Sequence, residues 1–356
     1  MHSHEVPSEG RVIVPFEPAA PPPELPPILP AQVRERWAAP DRSTHSPVVV
    51  AVTGAAPGAW AGAALVTSRP GAAYAKIVDV VGEGPRTVRA VVAFARERGL
   101  SQVKWEGWTV NPEQAEDLGF TALDAPRGQV DDPGQPPAGH VRWLADAEVV
   151  EPPYYRQTTH FTCGAVTALT AGVRAGAVPA GSLDRAEELA LWRDATNFPA
   201  CEPVGLGLAV HRAWPDAAVT VRLDTDEPVL LDSYSGDERE WRAVLQRRSR
   251  ADAARAGLPV DPRRLSPDEL RAAVTGGAQV LLLLSLATMQ GFDVPHWVLC
   301  HGAVPGAVVV EDPWTNAATG DTWVDAHLMP VPDPSLDAMS TLGPDVFHGA
   351  VLVAHP

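Results

Sequence analysis

Between residues 47 and 126 the spacing of apolar positions alternates between two periods. Val48–Val52, Trp60–Thr67 and Tyr74–Val81 are short, nearly continuous apolar runs, which predicts three strands. The period then lengthens. Val88, Val91, Val92 and Ala95 share one face of a helix over Thr87–Arg98, with Arg89, Arg96 and Arg98 largely off that face and Gly99 placed to stop it. Gln102–Glu106 returns to strand, and Pro112–Leu118 is a short helix closed by Gly119-Phe120. The order β-β-β-α-β-α predicts an α/β unit.

From residue 153 to the end, helices come first and strands dominate later. Helices are expected at Cys163–Ala175, Leu183–Asp194, Gly205–Ala213, Glu238–Ala256 and Pro267–Val274. Strands are expected at Ala218–Leu223, Gln279–Leu286, Trp297–His301, Val308–Glu311 and Ala350–Val353. Four regions follow: a proline-rich segment over 1–46, the α/β module over 47–126, a turn-rich linker over 127–152 and the second module over 153–356. In the first, Arg11–Phe16 is expected as a strand and the remainder as extended or loosely packed chain. In the third, a strand near Val141–Leu144 interrupts the turns. No internal repeat is visible.

A chain of 356 residues has ample material for two cores. Its formal charge of −16 argues against nucleic acid or an anionic membrane as a partner, because both require a basic face. Three cysteines, Cys163, Cys201 and Cys300, are too few and odd in number for a disulfide framework and suit a reducing compartment. The start, Met-His-Ser-His-Glu-Val-Pro, has no apolar stretch of signal-peptide type, and the apolar run at Val280–Leu284 is too short to cross a bilayer. A cytoplasmic location is the expectation.

The chemistry concentrates in three short stretches. Gln157 and Cys163 stand six residues apart in Gln-Thr-Thr-His-Phe-Thr-Cys-Gly, where a helix begins. His296 opens a buried strand in Pro-His-Trp-Val-Leu-Cys, and Asp312 follows sixteen residues later in Glu-Asp-Pro-Trp. A thiol on the first turn of a helix feels the positive end of its dipole, and a neighbouring imidazolium stabilises the thiolate further. Thr162 is placed to cap that helix, and Gly164 would let a substrate backbone approach. Gln157 and backbone N–H groups at the helix start can donate to an oxyanion. A turn near Pro305-Gly306 can bring Asp312 back to orient His296. Each residue also has a structural reading: Cys163 as a buried apolar side chain, His296 as a satisfied core histidine, Asp312 as part of an Asp-Pro turn. His160 and His301 compete as the base, and Cys163, His296, Cys300 and His301 could be written as a zinc set, although no Cys-x-x-Cys or similar spacing supports it. Cys201 is expected in a buried turn and Trp314 beside the site.

In order and spacing these stretches resemble the C39-like branch of the papain superfamily. The resemblance rests on Gln157-Thr-Thr-His-Phe-Thr-Cys163-Gly, His296-Trp-Val-Leu and Asp312-Pro-Trp, and spans about residues 153–356. It implies an α+β, papain-like domain with a helical part carrying the cysteine and an antiparallel sheet carrying the histidine and aspartate. It also implies hydrolysis of a peptide or amide bond through a thioester on Cys163, with His296 as base, Asp312 orienting it and Gln157 in the oxyanion hole. No metal or organic cofactor is required, the partner is a peptide or amide small-molecule substrate, and nothing in the sequence sets an oligomeric state. Acyl or aminoacyl transfer at the same site and an inactive binding protein are the alternatives. The module over 47–126 resembles the GNAT acetyltransferase fold. Its helix-opening loop carries Glu83 and Pro85 in Gly82-Glu-Gly-Pro, where that family has a basic or glutamine residue and a Gly-x-Gly or Gly-x-Ala turn. Proline lacks an N–H and Glu83 repels phosphate, so the module reads as a degenerate structural or substrate-recruiting one, with a working, acetyl-CoA-binding acetyltransferase as the alternative.

Overall fold

The structure, a computed structural model, describes residues 10–128, 134–195, 200–344 and 346–354. Residues 1–9 of the proline-rich segment and 129–133 of the expected linker lie outside them. The chain forms two compact units. Unit 1 comprises residues 1–125, 132–147 and 316–325, and unit 2 comprises 126–131, 148–315 and 326–356. Residues 10–46 of the proline-rich segment and 134–147 of the expected linker therefore fold with the α/β module. So does Asn316–Asp325, a stretch expected in the second module.

Unit 1 contains β1 (Arg11–Pro15), α1 (Ala31–Ala38), β2 (Val48–Thr53), β3 (Trp60–Thr67), β4 (Tyr74–Gly82), α2 (Gly84–Glu97), β5 (Gln102–Glu106), α3 (Pro112–Asp117), β6 (Thr121–Ala122) and β7 (Gly139–Trp143). The strands make one sheet in the order β1-β2-β3-β4-β5-β7-β6, in which β4 and β5 run parallel and the other neighbours antiparallel. Strand alternation divides the side chains between two faces. Val50, Val52, Ala64, Val66, Ala75, Ile77, Val103 and Trp105 pack with Val88, Val91, Phe94 and Ala95 of α2. Val49, Ala51, Ala63, Leu65, Val78 and Val81 pack with Phe16, Leu25, Leu29, Val33 and Trp37. That second group corrects the expectation of a loosely packed N-terminal segment. Leu25, Leu29, Val33 and Trp37 recur every four residues, a helix-like stripe that the prolines at 26, 27 and 30 obscure. Pro30 stands just before α1, where its missing N–H costs nothing. Helix α2 begins a turn earlier than the pattern predicts, with Pro85 in its first turn, and ends with Gly99 at φ +66°, where a side chain would be strained.

Beyond the apolar face of β5, its alternate residues Gln102, Lys104 and Glu106 are also buried. Lys76 pairs with Glu106 at 2.6 Å and with Asp325, Tyr74 Oη donates to Asp325 at 2.8 Å, and Lys104 Nζ donates to the carbonyls of Val324 and Asp325 at 2.8 and 2.9 Å. Asp321 accepts from Arg69 at 2.9 Å and from His45 at 2.8 Å.

Unit 2 and the adjoining chain contain α4 (Cys163–Arg174), α5 (Arg185–Ala195), α6 (Pro203–Ala213), β8 (Ala218–Leu223), α7 (Gly236–Ala256), β9 (Val260–Asp261), α8 (Pro267–Thr275), β10 (Gln279–Ser285), α9 (Ala287–Gln290), β11 (Pro295–Val304), β12 (Ala307–Glu311), α10 (Trp323–Ala326), β13 (Met329–Pro332), α11 (Asp333–Met339) and β14 (Gly349–Ala354). The sheet runs β13-β12-β11-β10-β14-β8-β9, antiparallel except for β8 and β9. Leu281, Leu283, Trp297, Leu299, Val351 and Val353 on one face of it bury Ala165, Val166 and Leu169 of α4 and Leu206, Leu208, Ala209 and Val210 of α6. The chain is thus mixed α and β in both units, an α/β module followed by an α+β domain whose helical part packs on a largely antiparallel sheet. Among the described residues no helix is long and apolar enough to cross a membrane.

Candidate active site

Cys163 is the first residue of α4, half-buried, with Thr162 at the N-cap. The Thr162 hydroxyl does not cap the helix as expected. It donates to Glu188 instead. Glu188 is fully buried on α5 and also accepts from Tyr155 Oη at 2.9 Å and from the Thr158 N–H at 2.8 Å. One carboxylate therefore ties together three points of the loop that delivers the thiol. Glu188, Leu191 and Ala195 are the buried residues of α5, spaced three and four apart. A glutamate on that apolar stripe was the available signal for this residue, and sequence reasoning passed over it.

Gln157 begins the same loop. Its backbone N–H donates to Pro313 O at 2.8 Å, and its side-chain Nε2 donates to Thr159 O at 2.7 Å, while Thr159 Oγ1 lies 2.9 Å from Thr162 Oγ1. One Nε2 hydrogen is thus used to fix the amide. An amide nitrogen carries a second hydrogen, and the amide oxygen Oε1 is buried without a hydrogen-bond partner.

His296 stands at the start of β11, opposite Leu284 of β10. The turn at Pro305-Gly306 returns the chain as β12, with Leu299 opposite Glu311 after a bulge at Cys300/Gly302. Asp312, the next residue, reaches back so that His296 Nε2 lies 2.7 Å from its Oδ1. Both side chains are buried. The Trp314 N–H donates to the same Oδ1 at 2.8 Å, which fixes the carboxylate and puts Trp314 beside the site, as expected. His296 Nε2 is thereby committed to Asp312, which leaves Nδ1 as the other ring nitrogen, and His296 and the Cys163 thiol lie close enough for each to shift the other's titration.

The electrostatics follow from this geometry. Burial alone pushes the Cys163 thiol up, but the His296 charge, its hydrogen bond and the N–H groups of Trp297 and Gly164 more than offset it, so the thiol titrates below its ordinary value. Burial would lower His296. The Asp312 carboxylate and the thiolate outweigh it and raise the imidazolium to about 10. Each charge thus favours the other: the imidazolium lowers the thiol, and the thiolate raises the imidazolium.

Gly164 has a different role from the one expected. A Cβ there would meet Trp297 Cδ1 at 3.1 Å and Cys201 Cβ at 3.2 Å, so the missing side chain admits the core, not a substrate. Cys201 is buried behind the helix start, its carbonyl accepts from Trp297 Nε1 at 3.0 Å, and burial holds its thiol well above the ordinary range. Cys300 is likewise buried, with its thiol pushed up. Of the competing histidines, His160 is exposed on the loop, and His301 is buried with Nε2 3.1 Å from Glu311 Oε1. Among the described residues no three histidine, cysteine or carboxylate groups are arranged to hold a metal ion.

The profile of the Peptidase_C39 like family matches residues 152–354, more than half of the chain. The chain belongs to this family. The matched span of this C39-like protein holds Gln157, Cys163, His296 and Asp312. Curated proteins provide no match. Solved structures similar to its N-terminal part are acetyltransferases. Aminoglycoside 6'-acetyltransferase type Ii is 16% identical, with 38% of this chain and 99% of that one covered at a TM-score of 0.28. Aminoglycoside 6'-N-acetyltransferase from Enterococcus faecium is 13% identical, with 39% and 99% covered at 0.27. Ribosomal-protein-S18-alanine N-acetyltransferase from Escherichia coli is 12% identical, with 39% and 98% covered at 0.26.

Proposed function

We propose that this C39-like protein is a cysteine hydrolase that cleaves a peptide or amide bond. The observation that carries the reading is the buried His296–Asp312 pair, 2.7 Å apart, next to the half-buried Cys163 thiol, whose titration the His296 charge lowers. The Cys163 thiolate attacks the carbonyl carbon. The oxyanion takes donors from the Cys163 N–H and the second Nε2 hydrogen of Gln157. The tetrahedral intermediate collapses as His296 Nδ1 passes its proton to the leaving amine, giving a thioester on Cys163 and neutral imidazole. Water enters, His296 takes its proton, and a second collapse expels thiolate and releases the acid. Asp312 holds the ring with Nδ1 toward sulfur and stabilises the imidazolium throughout. No step calls for a metal or an organic cofactor.

The test has two parts. Iodoacetamide should alkylate Cys163 rapidly at pH 6–7, where an ordinary thiol is about 1% thiolate or a few per cent at most. Incubation with a fluorogenic peptide-amide library, with and without added amine, should then give free acid as product. Slow alkylation at that pH would sink the reading, and an acyl-amine product formed only with added amine would replace hydrolysis by transfer.

A further inference from the structure

The regular ladder between β12 and β13 runs from Ala307 opposite Pro332 to Val310 opposite Met329 and stops there. Beyond it the backbone of Asp312 is still held: its N–H donates to Ala326 O at 3.0 Å. Between these two points Leu328 stands at φ +50°. That left-handed conformation costs a branched residue on the order of 1–3 kcal/mol and persists only where its surroundings impose it. What imposes it is the side chain of Glu311. Its Oε1 accepts from the Leu328 N–H at 2.8 Å and from His301 Nε2 at 3.1 Å, and its Oε2 accepts from His327 Nδ1 at 2.6 Å. His327 Nε2 in turn lies 2.8 Å from Glu151 Oε1. A ring facing a carboxylate on each nitrogen donates twice, so it is an imidazolium. Its proton is held to about 9, because the two carboxylates overcome the cost of burial.

We infer that Glu311, clamped by His327, is a positioning residue for Asp312: it substitutes for the interrupted ladder and fixes the backbone from which the His296-orienting carboxylate projects. The inference rests on the assignment of Cys163, His296 and Asp312 above. Both backbone groups of Asp312 meet this assembly. The N–H reaches Ala326, the residue before His327. The carbonyl accepts from Tyr154 Oη at 3.1 Å, and the Tyr154 ring lies 5.4 Å from that of His327. The cavity lined by Tyr154, Thr167, Leu299, Glu311 and Asp312 measures about 10 Å³, at the lower limit for one water, so solvent has little room to replace the side-chain partners. Two consecutive carboxylates thus divide the work. Asp312 faces His296, and Glu311 faces away to hold the strand end in register.

The test uses the full chain and needs no knowledge of the substrate. The pH dependence of Cys163 alkylation by iodoacetamide reads the thiol, and the downfield imidazole proton of His296 in a proton NMR spectrum reads the bond to Asp312. In Glu311→Gln, an amide N–H faces the His327 N–H and the clamp opens. Alkylation at pH 6 is expected to slow by about tenfold, one pKa unit, and the downfield proton to move or broaden. Asp312→Asn should give the same change, and the double variant no more than Asp312→Asn alone, because one residue acts through the other. His327→Gln is the second route if Glu311→Gln does not fold. Unchanged alkylation and an unchanged proton resonance in a folded variant would overturn the inference, as would additive effects in the double variant. A protein that alkylates as described but turns over no amide would refute the proposed reaction and leave the positioning role standing.

Discussion

Unit 1 buries Arg69, Lys76 and Lys104 with Glu106, Asp321 and Asp325, while unit 2 buries His296, Asp312, Glu188 and Glu311 around a thiol that stays half-buried. Both sets take charge out of water, and both contain strongly shifted groups. Asp321 is held far below the ordinary carboxylate range, where Arg69 and His45 overcome the penalty of burial. Glu311 is likewise held at about 2, since His327 and His301 outweigh its burial. In unit 1 the bonds run among mutually fixed ions, the Tyr74 hydroxyl and backbone carbonyls, and no thiol is among them. In unit 2 the buried His296–Asp312 pair lies next to a thiol that stays half-buried. A displaced pKa therefore marks buried charge and does not by itself mark a reaction. What separates the two is the half-buried thiol beside the charged groups of unit 2.

The sharpest way to break the comparison is Cys163→Ala. It should lower turnover by on the order of 10⁴–10⁶-fold with the thermal midpoint little changed, as read by a peptide-amide assay beside a melting curve. Arg69→Met in unit 1 should do the reverse. It removes the guanidinium that pairs with the buried Asp321 carboxylate and should cost about 3–5 kcal/mol of stability by denaturant unfolding. The alkylation rate of Cys163 in the folded fraction should not move. Gln157→Ala should lower kcat by roughly 10²–10³ with a smaller effect on KM, since an oxyanion donor acts in the transition state. Gly164→Ala should destabilise by about 1–3 kcal/mol, because its methyl would press on Trp297 and Cys201.

The smallest effect is the pH profile, and its sign follows from the two shifts. The thiol is lowered, so the rate should hold to acid pH below an ordinary thiol's range and fall once Cys163 is protonated. His296 is raised to about 10, so the rate should fall again as pH rises through that value and the proton for the leaving amine is lost. An alkaline limb near 7 instead would mean that Asp312 does not hold the ring.

The sequence alone determined the order of elements, because apolar period is local: the strands at β2, β3, β4, β10, β11 and β12 and the helix opening at Cys163 were all legible. It also put Gln157, Cys163, His296 and Asp312 forward as candidates, since their residue types and chain order were visible. Only the tertiary structure decided that the N-terminal stripe from Leu25 to Trp37 packs, because its prolines speak against helix in sequence and only the sheet shows what the stripe covers. Only it placed Asn316–Asp325 in unit 1 and gave Glu188 and Glu311 their partners. A charged residue inside an apolar pattern declares itself unusual, but the groups that neutralise it lie far along the chain, 30 residues for Thr158 and Glu188 and 16 for Glu311 and His327. Period is written in neighbouring residues. The pairing of buried charge is set by which strand ends and loops meet, and that is fixed only once the chain has folded.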